Sequence, residues 1–596
     1  MELPLIRNPL QFAPGRSLAP THPLGREARV LLTSVFGPYA RDDEFGSRAI
    51  NPMELYHNQV TREQGVFSLR MFHRSWGLML IQANLDAPCT LLDFPTRERF
   101  LEELRSERYD VIGIGAIIPN VGKVEEMCAL IRQHQPHAVI VVGGHVANLP
   151  GLRERTGADH VVRGEGVRWF RNYLGLDEAA PIRHPLIRSA FGARTMGVGI
   201  GDQDTAATLI PSVGCPLGCN FCSTSAMFGG KGSSVSFYET GDELFAVMSG
   251  LEEAMGVQSF FVMDENFLLQ RRRALRVLDL MREHAKAWSL YIFSSANTLA
   301  RYSGEELVGL GISWVWMGLE GKSSGYSKLK GTDTLRLVES LQSHGIRVLG
   351  SSIVGLPDHT PENIDEHIAH AVAHDTEFHQ FMLYTPIPGT ALHAEHLQAG
   401  TLLGEEECAP ADTHGQLRFN FRHPHIRGGE ETGFLARAFV RDFESNGPSI
   451  VRIARTLLRG WRRHRAHPEA RVRERLRREC RGLSTMYAGA LWAARRWLRG
   501  NAVAVRRIDA IREEIANEFG LAARLAGPVV GAILLGAMTW EARRLRRGRS
   551  YEPQTFYESN RPGIAGQGPS PCRFLPAQDP APAWSSGSAL ASGGAG

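Results

Sequence analysis

The sequence lacks any uninterrupted apolar run of the ~20 residues that a bilayer-spanning helix requires. The longest such stretch, Leu525–Trp540, is short for a span and has arginines on both sides. An apolar leader is also missing, because Met1–Pro23 carries proline and arginine where a signal peptide needs a hydrophobic core. We therefore expect a cytoplasmic protein in which only the C-terminal region is a candidate for membrane association.

A strong charge of either sign is also missing. The net charge is +4, so the chain is not a polycation and no nucleic-acid partner is expected. Basic residues are concentrated after residue 450, in LLRGWRRHRAHPEARVRERLRREC. Such a run is most often a solvated helical face, and a nucleic-acid patch or an anionic-membrane surface are the alternatives. The nearby apolar stretch favours peripheral membrane contact.

Cysteine is scarce, with eight in the chain, and a disulfide framework is not expected in a reducing compartment. Five cysteines stand alone and are predicted to be small buried hydrophobic residues: Cys89, Cys128, Cys408, Cys480 and Cys572. The other three, Cys215, Cys219 and Cys222, lie in PSVGCPLGCNFCSTS with C-x3-C-x2-C spacing, directly after a predicted strand.

This cysteine loop is a candidate metal centre. Thiolates are the usual ligands of iron–sulfur clusters, and three of them can hold three irons of a 4Fe–4S cluster while the fourth stays open for a substrate. The alternative is a zinc loop or three buried thiols. Zinc would need a fourth Cys or His nearby, and no histidine lies within about twenty residues on either side.

Two series of alternating strand-like and helix-like segments predict an α/β fold. The first series resembles a doubly wound, Rossmann-like sheet, and its predicted strands are Val30–Val35, Thr90–Phe94, Val111–Ile117, Ala138–Val142 and His160–Arg163. The second has six units and predicts a partial (βα)6 barrel, with strands at Thr208–Val213, Gln258–Met263, Leu290–Ser295, Trp314–Leu319, Val348–Val354 and Gln380–Tyr384. A helical, arginine-rich region and a Pro/Gly/Ser-rich tail follow.

The predicted organisation is an extension at 1–27, an α/β domain at 28–170, a linker at 171–205, the barrel at 206–400, the helical region at 401–548 and a disordered tail at 549–596. In barrels of this kind the chemistry lies at the carboxyl ends of the strands. The cysteine loop and most of the candidate residues below follow predicted strands.

Residues 205–400 resemble the radical S-adenosylmethionine superfamily. The resemblance implies that the three cysteines hold the cluster and that S-adenosylmethionine chelates its open iron, with Phe221 near the adenine. In MDENF, Asp264 or Glu265 would contact the methionyl amine. The family often has Gly-Gly-Glu at this place, and the two glycines are absent here. Glu320 in GLE would contact the ribose, and Ile353 and Gly355 in SSIVGLPD the adenine. YTPIPGT, at Tyr384–Thr390, is similar to cobalamin-dependent members.

In the first domain, strand ends carry residues that let a backbone approach a large ligand closely. They are Asn120, then Gly143, Gly144 and His145 in GGH, then Gly164 and Gly166 in GEG. An ordinary sheet with glycine turns is the alternative. Residues 28–170 resemble the cobalamin-binding domain that precedes the barrel in one class of radical enzymes. The D-x-H-x-x-G element is not found, so the resemblance implies no lower histidine ligand, and His145 is not assigned that role.

Taken together, the resemblance implies a flavodoxin-like cobalamin domain and a radical enzyme that cleaves S-adenosylmethionine with electrons from an external donor. Its expected reaction is C-methylation of an unactivated carbon in a hydrophobic small molecule or lipid. An oxidative cyclisation or ring rearrangement would use the same cofactors, and a cobalamin-binding sensor with a structural cluster is the non-enzymatic alternative. The long stretch Arg41–Gly65 is expected to cover the cobalamin or the substrate.

Overall fold

The computed structural model describes residues 21–37, 50, 54–189, 191–199, 206–321, 326, 329, 331–549, 555–560 and 575. Cys572, most of the predicted tail, the extension up to residue 20 and most of the stretch 41–53 lie outside these residues.

The first unit is a parallel sheet with helices on its faces. The strands of this unit are β1 (Val30–Ser34), β2 (Arg70–Phe72), β3 (Cys89–Asp93), β4 (Val111–Gly115), β5 (Val139–Gly143) and β6 (His160–Val161), of which β2 lies outside the parallel sheet. Its helices are α1 (Trp76–Ala83), α2 (Arg97–Ser106), α3 (Val121–His134), α4 (Leu152–Thr156) and α5 (Gly166–Tyr173). The main sheet has the order β3-β1-β4-β5-β6, which is the flavodoxin-like order, and the strand order reverses between β1 and β4.

The region before α1 differs from the prediction. The apolar spacing of Leu69–Ala83 predicts one helix, but Arg70–Phe72 forms β2, which pairs antiparallel with β7 (Phe191–Thr195) beside β8 (Val198–Gly199). The helix begins only at Trp76. The strand pairing keeps this segment extended, and within it Arg70 is buried and lies 2.5 Å from Glu54.

The second unit is an open six-stranded parallel barrel with the order β16-β15-β14-β13-β12-β9. Its strands are β9 (Ala207–Leu209), β12 (Ser259–Val262), β13 (Ser289–Phe293), β14 (Ile312–Glu320), β15 (Arg347–Val354) and β16 (Phe378–Leu383), and the short β10 (Ser212–Val213) and β11 (Val235–Ser236) pair separately. Its helices are α6 (Ser223–Met227), α7 (Gly241–Met255), α8 (Arg271–Glu283), α9 (Ala296–Leu299), α10 (Gly304–Gly309), α11 (Thr334–Ser343), α12 (Ile364–Ala373) and α13 (Ala391–Gln398). The predicted first barrel strand is therefore divided, with Pro211 between its two parts.

The C-terminal region is helical, as predicted, with α14 (Glu430–Asn446), α15 (Ser449–His464), α16 (Ala470–Cys480), α17 (Ala488–Trp497), α18 (Ala502–Phe519) and α19 (Leu521–Arg546). Many of its arginines bind the barrel instead of forming a solvated face. Arg452 is fully buried, lies 2.6 Å from Asp442 and donates to the carbonyl of Thr376. Arg347 of β15 lies 3.1 Å from Glu479 of α16. The charge run thus serves in part as an internal interface.

One part of the predicted disordered tail is ordered. Phe556–Ser559 forms β17, which adds antiparallel to β3 at the edge of the first sheet. Arg74 lies 2.6 Å from Glu558 and 4.5 Å from the ring centre of Phe556. The strand therefore covers a sheet edge that would otherwise expose unpaired backbone groups.

Candidate functional site

The cysteine loop is folded tightly between β10 and β11. Gly218 has φ +64, and a Cβ atom there would lie 2.5 Å from Cα of Lys231, so the position requires glycine. The amide of Cys222 donates to the carbonyl of Cys219 at 3.0 Å, and Ser225 Oγ donates to the carbonyl of Cys215 at 2.7 Å. Cys222 also caps α6 through its sulfur. The backbone therefore fixes where the three sulfurs lie.

The three thiols form no disulfide, are half-buried and lie close enough to influence one another electrostatically. Burial, together with the charges of Cys222, Cys219 and Glu265, raises the pKa of Cys215 to about 11. Three such thiolates need a cation to stabilise them. The donor set fits an iron–sulfur cluster better than mononuclear zinc.

The sequence left open whether Asp264 or Glu265 contacts the methionyl amine, and the structure gives the two residues different surroundings. Asp264 is buried, lies 2.5 Å from Arg273 and accepts the amide of Asn266 at 3.1 Å, so its carboxylate stabilises the turn after β12. One carboxylate oxygen of Glu265 is buried without a hydrogen-bond partner. Burial raises the pKa of Glu265 to about 7, and the charge of Asp264 raises it as well. Glu265 is the carboxylate that remains available beside the cysteines.

Phe221 lies in an aromatic group at the carboxyl end of the barrel. Its ring is 5.0 Å from that of Tyr326 and 6.4 Å from that of Tyr384, both edge to face. The hydroxyl of Tyr326 lies 3.1 Å from the hydroxyl of Tyr384 and 3.3 Å from Oδ1 of Asn220. Tyr384 belongs to YTPIPGT, whereas Tyr326 lies in no motif that marked it, so sequence reasoning missed it.

Glu320, Ile353 and Gly355 lie together at the ends of β14 and β15. Glu320 is buried and has φ +51, a conformation that non-glycine residues rarely adopt. Glu320 and Ile353 line a cavity of about 10 Å³ with His359, and a Cβ atom on Gly355 would lie 2.3 Å from the ring of Phe419. His359 was not predicted; its Nδ1 accepts the amide of Gly355 at 3.1 Å.

In the first domain, the loops after β4 and β5 are bound to each other and leave polar atoms without partners. Gly144 has φ +83, and a Cβ atom there would lie 2.5 Å from the carbonyl oxygen of Ala116. Nδ1 of His145 and Nδ2 of Asn148 are buried and have no hydrogen-bond partner. Burial lowers the pKa of His145, so its ring is neutral near pH 7. A glycine loop beside buried polar atoms that lack partners fits a large ligand with amide side chains, such as cobalamin.

The remaining predicted residues of this domain are at the same edge of the sheet. Asn120 is buried at the start of α3, and Gly143 ends β5. Gly166 begins α5, where a Cβ atom would lie 2.7 Å from the side chain of Ile81, so this glycine serves helix packing. Gly164 has φ +87 in the preceding loop.

The loops of the first domain face the cysteine loop of the barrel. A Cβ atom on Gly164 would lie 3.7 Å from the carbonyl oxygen of Met227, at the end of α6. A Cβ atom on Gly389, in the loop after β16, would lie 2.8 Å from Cβ of Asn148. The structure therefore brings the two predicted sites to one shared space between the domains.

The inside of the barrel is hollow near this space. Along β14, the outward residues Val315, Met317 and Leu319 are buried, whereas the inward Trp314 and Trp316 are only half-buried. An inner face that is more exposed than the outer face means that the barrel is not filled by its own side chains, unlike a closed (βα)8 barrel. The inner face of the barrel therefore remains partly accessible below the cysteine loop.

Aromatic rings line this space. Phe293 stacks on Trp316 at 5.0 Å between ring centres, and Phe261 lies 5.8 Å from Phe293. His73 stacks on Phe261 at 5.9 Å and lies 4.8 Å from Trp76. His73 precedes α1 and Trp76 begins it, so both domains contribute to one aromatic wall.

The segment 54–72 closes the barrel on the side of β16. The hydroxyl of Tyr56 lies 3.3 Å from that of Tyr291, and Gln380 donates to Gln59 at 3.0 Å. The stretch Arg41–Gly65 was expected to cover the cobalamin or the substrate. Its described residues, 50 and 54–65, include ones that line the barrel, and the others lie outside the described residues.

We expect Gly144→Val to lower cobalamin binding by at least about tenfold, because the new side chain would overlap Ala116 and move the GGH loop. The measurement is cobalamin absorbance retained per chain after gel filtration. Gly151→Val is the matched control, since Gly151 also has a positive φ (+69) but a Cβ atom there would have no other atom within 4 Å. Equal cobalamin retention by both variants would contradict the assignment of this loop.

Comparison with known families agrees with this arrangement. Residues 66–174 match the B12 binding domain family and residues 209–371 match the radical SAM superfamily. An uncharacterised methyltransferase of Pyrococcus horikoshii is 27% identical over 328 residues, which cover 49% of this chain and 70% of that protein. Bacteriochlorophyllide d C-12(1)-methyltransferase of Chlorobaculum tepidum is 28% identical over 196 residues, 31% of this chain and 42% of that protein.

A third relative, cytidylyl-2-hydroxyethylphosphonate methyltransferase of Streptomyces wedmorensis, is 26% identical over 253 residues, and the match covers 45% of its length. Among solved structures, the radical S-adenosylmethionine methyltransferase TsrM of Kitasatospora setae, with cobalamin and a [4Fe-4S] cluster bound, has 17% identity and a TM-score of 0.47. The match covers 76% of this chain and all of that one.

Proposed function

We propose that this chain, which belongs to the cobalamin-dependent radical S-adenosylmethionine methyltransferase family, methylates a carbon atom of a hydrophobic small molecule or lipid that carries a flat or aromatic group. The observation that carries this proposal is the hollow, aromatic-lined barrel, which opens between the cysteine loop and the GGH loop. Aromatic walls favour flat apolar ligands through stacking and burial.

The cofactors would be held by residues at the strand ends. Cys215, Cys219 and Cys222 would bind the 4Fe–4S cluster, Glu265 the amine of S-adenosylmethionine, and Phe221, Glu320, Ile353 and Gly355 its adenosine. Cobalamin would be held by Asn120, Gly143, Gly144, His145 and Gly164. When bound, the cluster and S-adenosylmethionine supply hydrogen abstraction, the cobalamin supplies the methyl group, and an external donor supplies electrons.

The chain's own residues would orient the substrate and exclude water. Phe261 and Phe293 place aromatic carbon on the wall, and the indole N–H of Trp316 is directed to Ser351 Oγ at 3.5 Å, so few O–H or N–H hydrogens would lie beside a reactive carbon. The polar strip opposite is internally bonded: Ser351 donates to Gln380 at 2.5 Å, and Gln380 to Gln59 at 3.0 Å. One polar group of the substrate could bind this strip and fix its orientation.

We expect the anaerobically reconstituted enzyme, given reductant and a lipid extract, to form 5′-deoxyadenosine and S-adenosylhomocysteine together. Trp316→Leu should lower the methylated product about tenfold through lost stacking, while deoxyadenosine formation without substrate stays unchanged. Trp314→Leu is the matched control: it lies two residues earlier on β14 and stacks on Phe378 at 5.1 Å, deeper in the barrel.

The products separate the alternatives. Deoxyadenosine without S-adenosylhomocysteine would contradict methylation and favour cyclisation or rearrangement. Neither product, in protein that holds both cofactors, would favour the sensor. Equal losses in the Trp316 and Trp314 variants would mean that the aromatic wall serves folding alone.

We also propose peripheral membrane contact through α19. This helix alone among the described ones is long and apolar enough to cross a membrane by length and composition, with a mean hydropathy of 1.8 and 28% of its apolar window buried. Its outer face exposes Leu521, Leu525, Val529 and Ile533, which recur every four residues. The opposite face packs on α17, where a Cβ atom on Gly531 would lie 2.6 Å from Trp492. One packed face and one exposed apolar face favour a helix that lies on a membrane surface.

Arginines flank this apolar face. Arg495, Arg496 and Arg499 line an open pocket of about 740 Å³ together with Leu535 and Thr539 of α19. We expect the double variant Leu525→Glu/Ile533→Glu to abolish flotation of the holoenzyme with anionic phospholipid vesicles. Membrane contact would have to bury the two new carboxylates among lipid chains, which opposes insertion of this face. Leu397→Glu, at an exposed leucine of α13 in the barrel, is the charge control. Flotation that persists in the double variant would rule out this face as the contact.

A further inference from the structure

A second cluster of metal-ligating side chains lies outside the cofactor sites, where the barrel helices meet the C-terminal helices. Glu305 of α10, His344 at the end of α11 and His464 at the end of α15 place one ligand atom each within 4.8 Å of one another. Nδ1 of His344 lies 3.1 Å from Nε2 of His464. Two nitrogens bound to one tetrahedral zinc are about 3.3 Å apart, given Zn–N distances of about 2.0–2.1 Å. The spacing is therefore close to that of a ligand pair.

Glycines make room for these two imidazoles. A Cβ atom on Gly304 would lie 2.2 Å from Nε2 of His344, so any other residue there would displace the ring. Gly345 follows His344 with φ +81, and its Cβ position would lie 2.7 Å from Cα of Gly460. The contact of these two glycine backbones brings the ends of α11 and α15 close enough for His344 and His464 to meet.

The protonation states favour metal binding. Burial, together with the neighbouring His344, His467 and Arg463 and against the effect of Glu305, lowers the pKa of His464 to about 4. Burial lowers the pKa of His344 as well, with Arg463 lowering it and Glu305 raising it. Both rings are therefore neutral near pH 7, and neutral imidazole is the form that binds metals. Arg463, which donates to Ser343, is the opposing charge.

A fourth side chain orients the carboxylate. Nδ1 of His467 accepts the amide of Glu469 at 3.1 Å, so the ring proton is on Nε2, which lies 3.2 Å from Glu305. This donor holds one oxygen of Glu305 and leaves the other available. Metal sites commonly fix their ligands through such outer hydrogen bonds.

We infer that Glu305, His344 and His464 bind one zinc ion, which fastens the barrel to the C-terminal helices. Two imidazoles and a carboxylate are a ligand set that zinc accepts, with water in the fourth position. The ligands belong to three helices that are far apart in sequence, so a bound ion would stabilise their docking and raise the melting temperature. The site is independent of the cluster and of cobalamin.

The test uses the holoenzyme with its cluster fully loaded, so that the cysteines are not free to take zinc. After incubation with zinc sulfate and gel filtration in metal-free buffer, zinc and iron are counted per chain, and melting is measured with and without zinc. The wild-type chain is expected to retain one zinc and to melt at a higher temperature with it. His464→Ala and Glu305→Gln should each weaken zinc retention at least about tenfold, with iron unchanged.

Glu305→Gln keeps the test valid if His464→Ala fails to fold, because the Glu305 side chain is 64% exposed. His137→Ala removes an exposed histidine of the first domain and should change nothing. The inference is overturned if wild-type protein retains no zinc, or if the His464 and Glu305 variants retain as much as the wild type, which would mark adventitious binding elsewhere.

Discussion

Cys219→Ala is expected to lower S-adenosylmethionine cleavage by at least about 1000-fold, because the cofactors carry the chemistry and the cluster cannot form without this ligand. Two thiols in the loop can bind two irons but cannot retain a four-iron cluster. The side chain is half-buried in a loop whose shape is fixed by Gly218 and by backbone hydrogen bonds. The chain should therefore still fold, and the loss should be specific to the cluster.

The measurement is iron per chain, the absorbance of the cluster, and deoxyadenosine formed anaerobically with excess reductant. Cys128→Ala is the matched control, since Cys128 is fully buried in the first domain and burial raises the pKa of its thiol to about 12. It should keep the iron content and the cleavage. If the Cys219 variant retained four irons per chain and full cleavage of S-adenosylmethionine, the assignment of the cysteine loop to the catalytic centre would be wrong.

Local patterns in the sequence predicted much of this candidate site. The cysteine spacing and the positions of Glu320 and Gly355 after strands could be read from a few neighbouring residues, because carboxyl ends of parallel strands meet at one edge. The four lone cysteines in the described part of the chain are buried, as predicted. The six barrel strands appear at the predicted places, with shifted ends.

Features that depend on distant partners were missed. Asp264 and Glu265 are neighbours in sequence, and only the position of Arg273 shows which of them is already paired. The tail has the composition of a disordered segment, yet Phe556–Ser559 pairs with β3 because that edge strand has free backbone groups. The arginine run looked like a solvated face, since its acidic partners, such as Asp442, lie outside it.

The adjacent carboxylates give a second test with large and opposite effects. Asp264→Asn is expected to lower the free energy of unfolding by about 3–5 kcal/mol, because it leaves the buried Arg273 without its charged partner. The two side chains are 7% and 2% exposed and 2.5 Å apart. Chemical unfolding of the cofactor-free protein measures the loss. Under conditions in which this variant is folded, its affinity for S-adenosylmethionine should equal that of the wild type.

Glu265→Gln is expected to behave in the reverse way. Affinity for S-adenosylmethionine should fall about 10- to 100-fold, because an amide replaces the charged partner of the amine.

The stability of the Glu265→Gln variant should also depend on pH. Burial raises the folded-state pKa of Glu265 from 4.5 to about 7, so the stability that its proton contributes is complete below pH 4.5 and is lost as the pH rises through 7. A neutral glutamine avoids that loss. The cofactor-free variant should therefore be at least as stable as the wild type at pH 8, and by a wider margin there than at pH 5. If Glu265→Gln instead destabilises the fold while Asp264→Asn alone weakens binding, the two roles are exchanged and Asp264 is the ligand of the amine.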